Sequence, residues 1–135
     1  MLWFGLVLVV VHAAVLLGHD AAHRELGVVL APWQQAFVYP VIVAAPVVAA
    51  VLLVTRFRRA GFLLLSLSML GALLFGGFHH YVAISPDHVG HLPPGDAQPA
   101  FRMTALAMGV VEALGVVVGG VGFRSAARAE KPYPL

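Results

Sequence analysis

Apolar residues along this chain do not recur with a short period; they run in four blocks, each about as long as a bilayer is thick. The first block extends from Met1 to about Gly18 and can continue as helix through His23, and the others cover 36–55, 60–84 and 101–123. A helix rising ~1.5 Å per residue needs ~20 residues to cross ~30 Å of hydrocarbon. The pattern therefore predicts an all-α integral membrane protein: a single-domain bundle of four transmembrane helices over 1–135. The expected helices are 2–23, 36–55, 60–84 and 101–123, with the longer connections at 24–35 and 85–100. The first block lacks the basic leader of a secretory signal, and Leu16, Leu17, Gly18 and His19 make a poor cleavage site, so it is read as a span.

Composition sharpens this reading, because 61% hydrophobic and 10% charged residues lie far from the balance of a soluble domain. The absence of cysteine removes disulfides, thiolate metal sites, iron–sulfur clusters and thiol nucleophiles together. A nucleic-acid partner would require a basic stripe with exposed aromatics, and the chain has none. Its positive charges report topology instead. Arg56, Arg58 and Arg59 lie between the second and third blocks, and Arg124, Arg128 and Lys131 follow the fourth; only Arg24 and Arg102 lie in the other connections. By the positive-inside rule both termini are expected to be cytoplasmic, in a multi-pass plasma-membrane protein whose histidine-bearing loops are extracytoplasmic. Trp3, Trp33 and Tyr39 fall where an interfacial aromatic belt would lie.

Gly115 and Gly119, preceded by Ala105 and Gly109, give the fourth block a small-xxx-small register suited to close helix contact. Besides the lipid bilayer, the expected partners are other membrane subunits or a second copy docked on the Gly115/Gly119 face. Pro40 and Pro46 should kink the second helix and free backbone carbonyls.

All seven histidines gather at or near one membrane face. His12, His19 and His23 are spaced by seven and four residues, which at ~100° per residue keeps them within about 40° around a helix axis. His79 and His80 close the third block, and His88 and His91 lie in the loop after it. Asp20 and Asp87 each adjoin a histidine. Neutral imidazole suits zinc, copper and iron, and carboxylates either join the coordination or orient the rings. The predicted site is a transition-metal centre drawn from His19, His23, His79, His80, His88 and His91, supported by Asp20 and Asp87. A nitrogen- and oxygen-rich set does not separate zinc from copper or iron. Deeper in the bilayer, Glu112 and His12 fall at similar depth and form the natural buried polar pair, either a proton relay or a structural contact.

The stretch His19-Asp20-Ala21-Ala22-His23 resembles the first histidine box of membrane di-iron desaturases and hydroxylases, and His79-His80 is similar to the paired histidines of their later boxes. The resemblance implies a multi-histidine metal site and covers only these residues. Those enzymes carry more histidines on a longer chain and hold them on the cytoplasmic side.

The chain has no phosphate-cradling glycine loop, no nucleophile elbow and no acids spaced for glycoside hydrolysis. Three function classes remain open. One is a metal-binding, sensing or metal-transfer component with an outer-face site, which the residue distribution favours. Another is a membrane oxidoreductase or electron-transfer protein, with haem b held between His12 or His19 and His79 or His80. The third is an accessory subunit of a membrane complex with a proton-handling histidine and glutamate cluster.

Overall fold

A computed structural model describes residues 1–129; Lys131, counted above among the tail charges, lies outside them. Among the described residues the chain is all-helical, with no strand: α1 (Leu2–Glu25), α2 (Pro32–Phe37), a π-helical segment (Val38–Ala44), α3 (Ala45–Leu53), α4 (Arg58–Tyr81) and α5 (Gln98–Ala129). α2, the π segment and α3 run on as one unit over Pro32–Leu53, so four helices are long and apolar enough to cross a membrane. Large apolar side chains such as Val10, Leu67, Leu74 and Val117 point outward on these helices, which suits a lipid solvent.

The helix limits depart from the sequence pattern for local reasons. The second span starts at Pro32, four residues before the apolar block. Pro32 occupies the first helical position, where its missing N–H costs nothing, and Gln34 Oε1 accepts the Ala31 N–H at 2.7 Å. α4 ends at Tyr81, and the residues after it fold into a turn in which the Val89 N–H reaches the His80 carbonyl at 3.0 Å. Pro40 and Pro46 lie in and just after the π segment, so their missing N–H groups are absorbed by a shifted hydrogen-bond register.

α5 packs along α4 and α1, and α3 packs on α4; α1 meets the second span mainly through α3, so the two diverge towards α2. The end of the bundle beside the turn between α3 and α4 is apolar, with Ala49, Leu53, Phe62, Leu65 and Met69 buried together. The close approach expected of α5 is present: a Cβ at Gly119 would stand 2.6 Å from the Ser66 backbone N and 2.8 Å from the Phe62 carbonyl. This glycine face, offered by the sequence to a second copy, is filled by α4 of the same chain. A second cluster at the other end joins Ala22, Leu26, Val28, Ala97 and Phe101, with Val89 and Leu92 folded over it.

Candidate metal centre

The end of α1 builds one side of the site. Gly27 takes a left-handed backbone (φ 66°), and the Val28 N–H bonds to the His23 carbonyl at 2.9 Å while Gly27 N–H reaches the Arg24 carbonyl at 3.2 Å. This is the double closure of a Schellman motif, for which glycine is the suited residue. It turns the Val28 carbonyl back over the helix end, where the His23 ring meets it at 3.3 Å. Across the bundle, Asp87 is set by the Ser85 turn, its N–H 3.3 Å from the Ser85 hydroxyl, so that its backbone carbonyl meets His80 Nδ1 at 3.0 Å.

His19, His23 and His80 form a buried trio, each under 10% exposed. The ligand atoms of the three lie within 4.8 Å of one another, so the group can hold a metal ion. The hydrogen bonds fix which atoms those are. A carbonyl only accepts, so His23 Nδ1 and His80 Nδ1 each carry the proton they give to Val28 and Asp87. Thr104 Oγ1 is 2.7 Å from the Ala100 carbonyl, and with its hydroxyl proton given there its oxygen is the acceptor for His19 Nδ1–H at 2.9 Å. All three Nε2 atoms are then left facing inward, with His19 Nε2 3.1 Å from that of His23 and 3.2 Å from that of His80. In this tautomer set the lone pairs at these two contacts repel, and a cation among them relieves the repulsion. A tetrahedral ion bonded at ~2.0–2.1 Å places its nitrogens roughly 3.3–3.4 Å apart, close to these two spacings, while the His23 and His80 ligand atoms, within 4.8 Å of each other, would draw together around it.

Asp87 is the fourth polar group. It is 6% exposed, and its Oδ1 lies 3.2 Å from His23 Nε2 and 3.3 Å from His80 Nδ1 without a hydrogen bond of its own. Burial alone would raise the Asp87 carboxyl, but the His80 ring beside it, with His23 and His19, holds it below its ordinary value of 3.8. It is a carboxylate aimed at a set of imidazoles, able to complete an N₃O donor set or to neutralise an ion from beside it. Phe101, fully buried, floors the trio with ring centroids 4.6, 4.8 and 5.5 Å from His19, His23 and His80.

The other predicted residues lie elsewhere. His79 turns to the second span, packed among Phe75, Phe78 and Trp33, with Nδ1 3.4 Å from Gln34 Nε2. His88 and His91 pair with each other at 3.0 Å in the loop between α4 and α5 and are not part of the trio. Asp20 is exposed and bound to Arg24 at 2.9 Å, one turn along α1, rather than to a histidine. His12 and Glu112 do meet, as their depth suggested: Nε2 and Oε1 are 3.5 Å apart, both residues are 2% exposed, and neither atom has another partner. A cavity of about 190 Å³ runs from His80 past Gly76 and Gly109 to Glu112. The haem alternative does not fit His19 and His80, because nitrogens 3.2 Å apart with rings edge-on leave no room for a macrocycle between them.

Thr104, Phe101 and the Val28 carbonyl were not singled out by the sequence reading. For Thr104 a signal existed, since it is a polar residue in an apolar span. No protein-family model, curated protein or solved structure matches this chain.

Proposed function

We propose that this chain is an integral membrane metal-binding protein, which takes a transition-metal ion at His19, His23 and His80 near the extracytoplasmic face and holds it for sensing or transfer. One observation carries the reading: each Nδ1 of the trio has a protein oxygen to donate to, which leaves the three Nε2 atoms as the ligand set, grouped within 4.8 Å of one another. That is how metal-ligating histidines are oriented, by a second hydrogen bond at the other ring nitrogen. Asp87 offers the negative charge that a divalent ion among neutral imidazoles favours. The donor set suits zinc, copper or iron(II). The positive-inside distribution of arginines supports the assignment to the outer face.

The test is metal content and affinity of untagged protein in detergent, for the wild type, His19→Ala, His80→Ala and His88→Ala/His91→Ala. One ion per chain, lost in the first two variants and kept in the last, is the expected result. Metal-free protein that takes up none of the three ions would overturn the metal reading and leave the proton-handling class in its place.

A further inference from the structure

The trio is closed by Phe101 on one side, but on the other it faces a cavity of about 360 Å³ whose lining includes His19, His23, His80 and Asp87 together. This cavity occupies the gap where α1 and the second span diverge. Most of its remaining wall is apolar, including Leu16, Val29, Val38, Ile42, Phe75 and Met108. Val38 and Ile42 belong to the π-helical segment, a departure from α-helix that is frequent at functional sites. Arg24 and Gln35 also line the cavity and are its other polar groups beside Asp20 and Tyr39.

We propose that this cavity is a ligand site for a single-chain amphiphile with an anionic oxygen head, the head at the metal and the chain along the apolar wall. This rests on the metal-binding reading above. With Asp87 neutralising the ion from beside it, three protein nitrogens leave a coordination position open, and the cavity is where these residues leave space beside them. Charge selects the head: a divalent ion among three neutral imidazoles with one Asp87 carboxylate retains about one positive charge, which an anionic oxygen donor neutralises. Shape and polarity select the tail. At ~30 Å³ per small group the space takes about a dozen non-hydrogen atoms, and an apolar wall offers water few of the two to four partners it needs.

The probes are octanohydroxamic acid and acetohydroxamic acid, which share a metal-binding head and differ by roughly six methylene groups. They are titrated into Co(II)-loaded protein in detergent while the d–d absorption is followed. In the wild type both change the spectrum, with the octanoyl probe tighter by at least ~10-fold, since each buried methylene favours binding. Ile42→Trp and, independently, Val38→Trp fill the wall; either variant is expected to keep the Co(II) spectrum and to lose the chain-length preference. Equal binding of the two probes to the wild type, or a preference that survives in both tryptophan variants that bind Co(II), overturns the ligand site while leaving the metal centre standing. A wild type with no Co(II) spectrum overturns both.

Discussion

Replacing Thr104 with valine removes one oxygen and keeps the side chain's shape, at a residue that does not itself offer an inward-facing atom to the trio. In the wild type the Thr104 oxygen accepts His19 Nδ1–H at 2.9 Å, which pins the tautomer that points Nε2 inward. Without that acceptor the proton is free to move to Nε2, and a metal must then displace it and reorient the ring. Loss of such an orienting partner commonly costs 10–100-fold in metal affinity, equivalent to about 1.4–2.7 kcal/mol. Thr104→Ser keeps the oxygen and should recover most of the affinity, although it loses a methyl group. Affinity is measured by competition with a chromogenic chelator at fixed pH. Long-range nitrogen–proton NMR of the imidazoles reads the tautomer directly in metal-free protein, with His19 Nδ1–H expected in the wild type and mixed tautomers in Thr104→Val. Valine and threonine proteins with affinities within about two-fold of each other would refute the idea that this hydrogen bond prepares the site.

Three further outcomes are expected. Gly119→Leu should separate α4 from α5, because backbone atoms of Phe62 and Ser66 already fill the space of a Cβ; overpacking of this kind costs about 1–3 kcal/mol, readable as lowered resistance to unfolding in mixed micelles. His12→Leu or Glu112→Leu alone strands a buried polar partner and should destabilise by about 1–3 kcal/mol, whereas the double replacement should cost less than the sum of the two. The same unfolding assay on all four proteins reads the coupling, and simple additivity would mean that the pair does not interact. Acidification should weaken metal binding because protons compete for the three Nε2 atoms. Asp87 has a folded value held below 3.8, so its contribution to stability is present above that value and is lost only as pH falls through the lower, folded one. Metal release on acidification is therefore expected to survive Asp87→Asn in form, with a weaker affinity throughout. Disappearance of that step in Asp87→Asn would assign it to the carboxylate instead.

The four long apolar helices were legible because hydrophobic length is a property of the chain itself, and among the described residues they fall where the apolar blocks are. Their ends were less so: Pro32 and Gln34 begin the second span with a proline and a side-chain cap rather than with hydrophobicity. The face shared by His12, His19 and His23 followed from helical spacing, and all three are buried. Which histidine completes the site did not. His79 and His80 are neighbours in sequence, yet a 100° step sends one ring to Trp33 and Phe75 and the other to His19. Asp20 and Asp87 looked alike as neighbours of histidine, and only tertiary structure separates an exposed ion pair with Arg24 from a buried carboxylate on the trio. The π segment also required the structure, since proline predicts a disturbed register without choosing its form.

The account stands on three imidazoles holding one ion through Nε2, and X-ray absorption at the metal edge of loaded, untagged protein examines that directly. The predicted spectrum shows a first shell with three imidazole nitrogens at ~2.0–2.1 Å for zinc, with the outer-shell scattering of the rings, and falls to two or fewer imidazoles in His80→Ala. A shell of oxygen alone, or one unchanged by His80→Ala, would contradict it.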